Sequence, residues 1–161
     1  MKGIVAFDSK YGNTKHVAEA IAEEIETLGH EVILVSIAHT LKFDDDADFI
    51  LIGSPTRMAR MTFRTKMFIR RARKKYAGKP GAAFETSLRA PEDPEARAKM
   101  SKWIDDAAGA KIKRMAEEGG IIMFDEILKA EVVDTYGPLM PKTLNRSREF
   151  ARRFIESLEK K

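Results

Sequence analysis

The sequence predicts an α/β fold: a three-layer, doubly wound domain around a parallel sheet of five strands. Two features carry that prediction. Short apolar runs alternate with amphipathic helical stretches along the whole chain, the pattern of a parallel sheet covered on both faces. Small polar residues and turn formers follow several of the apolar runs, as they do where strands end and helices begin. The 161 residues fit one domain, taken as 1–161, with right-handed crossovers. No repeat, linker or low-complexity stretch interrupts it.

Residues 2–7 read as a buried strand. Val17, Ala18, Ile21, Ala22, Ile25 and Leu28 then recur at helical spacing with glutamates between them, and Gly29 is a natural stop. Residues 32–37 and 49–52 are the second and third strands, the third running into Gly53-Ser54-Pro55-Thr56. Residues 62–76 form the next helix, ended by Gly78 and Pro80. A short fourth strand spans 82–84, and the segment 88–97, with Pro91 and Pro94, reads as a long irregular loop. Met100, Trp103, Ile104, Ala107, Ile112 and Met115 mark one face of a long third helix, which makes Trp103 a core residue. A fifth strand at 121–124, a short additional strand at 131–133 and a final helix from Pro141 onward complete the order.

Composition bounds the chemistry. Cysteine is absent, which removes disulfides, thiolate nucleophiles and cysteine-ligated metal sites and makes a cytoplasmic location the simplest expectation. Met1-Lys2-Gly3 leads straight into a strand, so a cleaved signal peptide is not expected. No apolar run approaches the ~18 residues of a membrane span. The 29 basic and 25 acidic residues leave a formal net charge of +4, a mild excess compatible with an acidic protein partner, nucleic acid or anionic lipid, and more commonly just a solvated surface rich in Lys and Arg. His16, His30 and His39 lack metal-ligand spacing, and Asp44-Asp45-Asp46 lacks the spaced ligands and glycine of a calcium loop.

The chemical signal lies at strand ends. Asp8-Ser9-Lys10-Tyr11-Gly12-Asn13-Thr14 joins the first strand to the first helix. The first N–H groups of a helix have no intrahelical acceptor, and the helix dipole places partial positive charge there. Ser9 and Thr14 add hydroxyls, Gly12 permits positive φ, and Asn13 is the expected N-cap. Two further strand ends carry small polar residues: Ser54 to Arg57, and Glu85, Thr86 and Ser87. In open α/β sheets ligands bind beyond the carboxyl ends of strands where strand order reverses. The order 2-1-3-4-5 would bring all three ends together.

These residues resemble the flavodoxin-like family. Ser9-Lys10-Tyr11-Gly12-Asn13-Thr14 is similar to its phosphate loop. Gly53-Ser54-Pro55-Thr56 resembles the start of its second flavin loop, and Tyr136-Gly137-Pro138-Leu139 resembles its C-terminal segment. The resemblance implies noncovalent FMN and electron transfer. It assigns Ser9, Lys10, Tyr11, Gly12, Asn13 and Thr14 to the phosphate. It sets Ser54 at the head of the second loop, Pro55, Thr56, Arg57 and Met58 beside the flavin ring, and Glu85, Thr86 and Ser87 at the ring's pyrimidine edge. No group for acid–base or nucleophilic catalysis and no metal is implied.

The chain also departs from the family pattern. Tyr11 stands where many flavodoxins have Thr, and Asp8 sets a carboxylate beside the phosphate loop that must point away or be offset by Lys10. The presumed ring-flanking loops hold no Trp or Tyr, leaving Met58, Met61 and Phe63 as the nearest apolar groups. Typical flavodoxins are acidic, so the basic balance here points to a redox protein partner with an acidic surface. Arg57, Arg60, Arg64, Arg71, Lys74 and Lys75 form a basic stripe without interleaved aromatics, a solvated face or docking patch rather than a clear nucleic-acid or membrane signal.

Three functions fit these readings. An FMN electron carrier leads. An FMN-dependent oxidoreductase acting on a quinone or porphyrinogen is the alternative, since the basic helix and short second loop resemble the menaquinone-dependent protoporphyrinogen oxidases. A flavin-free binding module is the third. A phosphoacceptor receiver domain is disfavoured because Ser54-Pro55 occupies the strand end where its Asp would stand.

Overall fold

The computed structural model describes residues 1–40 and 45–161, so Asp44 lies outside the described residues. Strands β1 (Lys2–Phe7), β2 (Glu31–Ser36), β3 (Phe49–Pro55), β4 (Pro80–Leu88) and β5 (Ile122–Val132) form one sheet. Its order is β2-β1-β3-β4-β5 and every pairing is parallel. The helices are α1 (Asn13–Thr27), α2 (Phe63–Lys75), α3 (Pro94–Lys99), α4 (Ser101–Asp105), α5 (Ala108–Glu118) and α6 (Thr143–Glu159). None of the described helices is long and apolar enough to cross a membrane.

The two-residue period of the strands divides the core between the two sheet faces. Val5 and Phe7 of β1 and Phe49 and Leu51 of β3 pack with Val17, Ile21 and Ile25 of α1 and Phe150 and Phe154 of α6. Ile4 and Ala6, with Ile50 and Ile52, pack on the opposite face with Phe68 and Ile69 of α2 and Ile112 and Ala116 of α5. The sheet is thus covered on both sides, and the reversal between β1 and β3 opens a crevice at their carboxyl ends.

Several boundaries differ from the sequence reading. Strand β4 continues past Phe84 through Glu85, Thr86 and Ser87. These polar residues extend the ladder because Glu85 pairs with Lys129 and Ser87 with Glu131 in β5. The two short strands expected at 121–124 and 131–133 are one strand, β5. Its register jumps where Gly81 faces Met123 but Ala83 faces Ile127. That bulge on an edge strand accommodates the polar Asp125 and Glu126. The long third helix is three pieces, α3, α4 and α5, separated at Met100 and at Asp106–Ala107. Pro94 and the Asp93 N-cap start α3 inside the segment expected to be irregular. Finally, the N-cap of α1 is Gly12, at φ 93°, and not Asn13, which is the first helical residue.

The break at Asp106–Ala107 changes the role of Trp103. It is 49% exposed rather than part of the core. The extended backbone of Ala107 releases α4 from the core register that α5 keeps.

Candidate flavin site

The loop after β1 is tied to itself. Ser9 Oγ accepts the N–H of Gly12 at 3.1 Å and that of Lys15 at 3.3 Å. His16 N–H bonds to the Gly12 carbonyl, so the N–H groups of Asn13 and Thr14 have no acceptor inside α1. Thr14 Oγ1 lies 2.8 Å from Thr86 Oγ1, both buried, linking the loop to the end of β4. Lys10 Nζ sits 5.3 Å from the centre of the Tyr11 ring.

Asp8 is not offset by Lys10. Its buried carboxylate lies at the start of α2, where Thr62 Oγ1 donates to Oδ2 at 2.6 Å and Arg64 Nε at 3.3 Å. Arg64 Nη2 also stands 3.2 Å from Oδ1, in ion-pair range but outside hydrogen-bond geometry. The helix dipole, a hydroxyl and a guanidinium thus hold this carboxylate in place of the phosphate loop.

Two cavities follow from the convergence of strand ends. The first, about 270 Å³, is lined by Ser9, Lys10, Tyr11, Asn13, Thr14, Pro55, Thr56, Arg57, Thr86 and Ser87 among the expected residues. Leu88, Val132 and Thr135 complete it. The second, about 410 Å³, shares Thr56, Ser87 and Leu88 with the first and adds Met58, Ala59, Arg89, Met100, Trp103 and Ile104. Trp103 is therefore the aromatic residue that the flanking loops lack: α4 brings it to the same cavity as Met58. Leu88, Thr135 and Trp103 were missed because their approach depends on strand length, the β5–α6 connection and a helix break. The one available signal was Tyr136-Gly137-Pro138, which adjoins Thr135.

Gly12, Ser54 and Glu85 support the cavities without lining either. Ser54 Oγ donates to the Pro55 carbonyl and accepts Thr62 N–H at 3.0 Å, joining the end of β3 to the start of α2. Glu85 is buried. Its Oε2 accepts Thr56 Oγ1 at 2.9 Å and its Oε1 accepts Gly109 N–H at 3.3 Å. Burial raises its pKa above the ordinary carboxylate range, opposed by the Thr56 hydroxyl, Lys129, Ser87 and Gly109 N–H.

Residues 57–60 make a tight turn. Arg57 and Arg60 exchange two backbone hydrogen bonds of 2.9 Å, while Met58 and Ala59 lie at φ 49° and 61°. Positive φ at both central residues marks a type I′ turn, normally built with Asn and Gly, and left-handed backbone costs other residues about 1–2 kcal/mol each. The turn also borders a third cavity, about 670 Å³, lined by Met58, Met61, Phe63 and Trp103 and by Lys10, Arg57, Arg60, Arg64 and Asp8. The basic stripe continues past this cavity: Arg71 and Lys75 line a further one with Ile37 and Ala38, and Phe63 and Arg64 line both. His16 and His30 meet Glu19 and Glu159, and the described residues contain no cluster suited to a metal ion.

A family model described as a flavodoxin domain matches residues 4–127. The chain belongs to the flavodoxin-domain family. FMN-dependent electron transfer is that family's functional class. A flavodoxin of Aquifex aeolicus is 39% identical over 69 residues, covering 42% of this chain and 37% of that protein. A flavodoxin from the domain Archaea superposes with a TM-score of 0.75 at 25% identity, covering 99% of both chains. Flavodoxin 1 of Bacillus cereus shares the fold, with a TM-score of 0.71 at 20% identity over 97% of this chain and 98% of that one.

The residues present fit FMN. Unbonded N–H groups at the start of α1 beside Lys10 suit a phosphate dianion. The adjoining cavity, lined by Leu88, Met100, Trp103 and Ile104 together with Arg89, Arg97, Lys129 and Glu131, suits a flat ring with apolar faces and polar edges.

Proposed function

We propose that this chain binds one FMN noncovalently and passes electrons to and from a redox protein with an acidic surface. One observation carries the reading: a cavity of about 270 Å³ at the start of α1 shares Thr56, Ser87 and Leu88 with a second, of about 410 Å³, whose walls include Leu88, Met100, Trp103 and Ile104. Ser9, Lys10, Tyr11, Asn13 and Thr14 would hold the phosphate. Pro55, Thr56, Arg57, Thr86 and Ser87 would line the path to the ring, and Met58 and Trp103 would flank it. Bound flavin supplies the redox chemistry. The protein's part is to bind, to orient the ring, to exclude water and to set the surrounding charge. Glu85 fixes the Thr56 hydroxyl, and Arg57 favours the negative charge gained on reduction.

The exposed face around the cavities supports an acidic partner. Lys10, Arg57 and Arg60 have no carboxylate partner among the described residues, and Met58, Phe63 and Tyr136 are largely exposed beside them. An apolar centre with unpaired cations at its rim suits a partner with a carboxylate rim. The concavity of the 670 Å³ space between Phe63 and Trp103 favours a second reading, an oxidoreductase that seats a quinone or porphyrinogen next to the ring.

Titration of the purified protein with FMN tests the main reading. Saturable uptake of one flavin, with bound absorption near ~450 nm, is expected. A colourless protein that takes up no FMN would leave the fold as a flavin-free module. Steady-state turnover with a quinone would favour the oxidoreductase.

A further inference from the structure

We infer that Lys111, on the first turn of α5, is a positioning residue that holds the strained turn 57–60, and with it Met58, over the ring cavity. The inference rests on the reading that this cavity takes the flavin ring. The turn needs an external hold. Met58 is 79% exposed, so side-chain burial does not fix it. Arg57 and Arg60 make no ion pair among the described residues. Two adjacent non-glycine residues nevertheless sit at positive φ.

Lys111 supplies that hold. Its Nζ donates to the Ala59 carbonyl at 2.5 Å and to the Asp106 carbonyl at 3.0 Å. The ammonium makes these bonds charge-assisted, and the side chain is only 27% exposed. Asp106 is itself anchored, since its Oδ1 accepts Arg114 Nη2 at 3.2 Å. Lys111 therefore ties the strained residue to a fixed point at the α4–α5 break. The same helix grips the loop's other end, where the Ala108 N–H approaches Thr56 Oγ1 at 3.4 Å. The Thr56 end also has the buried Glu85. The Ala59 end has Lys111 as its one side-chain partner among the described residues.

Lys111→Met keeps most of the stem and removes the donor. In FMN-free protein, exchange of the Arg57 and Arg60 amide protons should speed up about tenfold, and FMN affinity should fall about tenfold. Adding Ala59→Gly, which accepts positive φ without penalty, should restore affinity to within about threefold of the parent. Unchanged amide exchange in Lys111→Met overturns the proposal. Lost affinity that Ala59→Gly does not restore also overturns it, because Lys111 would then act through its charge and not through the turn. Failure of the parent to take up FMN would overturn the flavin reading alone, and the exchange experiment would still decide the brace.

Discussion

The two ends of the site are held by different means. The phosphate end is local: Ser9 accepts N–H groups from its own loop, Gly12 turns the chain, and α1 begins at once. The ring end is assembled from remote pieces, with Thr56 held by Glu85 and α5, Ala59 by Lys111, and Trp103 brought in from α4. One end relies on backbone groups fixed by a helix start, the other on side chains reaching across the fold. The phosphate end should therefore tolerate substitution poorly at its backbone-defining positions. The ring end should be tunable through side chains.

The sharpest way to break this contrast is at the place where a remote segment meets the phosphate loop. Gly137 lies at φ 101°, and a Cβ there would stand 2.7 Å from Asn13 Oδ1. Nearby, Tyr136 meets the Tyr11 ring edge-on at 4.7 Å. Gly137→Ala should weaken FMN binding about 30-fold, roughly 2 kcal/mol, in a fluorescence-quenching titration. A change below about threefold would mean that the β5–α6 connection does not constrain the phosphate end.

Thr14→Val tests how the two ends are joined, because Thr14 and Thr86 share a buried hydroxyl pair. Leaving Thr86 without that partner should lower the stability of the FMN-free protein by about 1–3 kcal/mol, measured by urea unfolding. A variant as stable as the parent would remove this pair from the account.

Glu85 gives the ring end a pH signature. Burial raises its pKa in the folded state above the ordinary 4.5. Between those two values the folded chain holds a proton that the unfolded chain has released, so stability falls as pH rises through that window and levels off above it. Urea midpoints measured from pH 4.5 upward should show that decline in the parent. Glu85→Gln should flatten it, and equal slopes in both proteins would assign the decline elsewhere.

The smallest effect belongs to an exposed charge. Arg57→Ala should lower the flavin midpoint potential by roughly 20–40 mV, the discounted effect of one solvated cation. An unchanged potential would make Arg57 a surface residue with no part in tuning.

Legibility in the sequence follows the same division. The loop 9–14 could be read because strand, turn, glycine and helix start are adjacent, and their geometry is local. Ten of the expected residues do line the first cavity. Glu85 was expected at the ring's pyrimidine edge; the bonds of its buried carboxylate to Thr56 and the Gly109 N–H could not be read, since such a carboxylate looks like any polar loop residue in a sequence. Trp103 was expected in the core because Met100, Ile104 and Ala107 share its helical spacing. The break at Asp106–Ala107 is a choice of packing, made where α5 turns under the sheet.

By itself the sequence determined the alternating elements, the parallel three-layer sheet and a helix start preceded by a glycine turn and hydroxyls. Each depends on hydrophobic period or on neighbours in the chain. The tertiary structure alone decided what surrounds the ring: the reach of β4 into polar residues, the Asp8–Arg64 pairing that keeps a carboxylate off the phosphate loop, the arrival of Trp103, and the bond from Lys111 that holds a turn most sequences would build with Asn and Gly. Those contacts join residues distant in the chain, and their energies come from burial and hydrogen bonds that exist only once the sheet has closed.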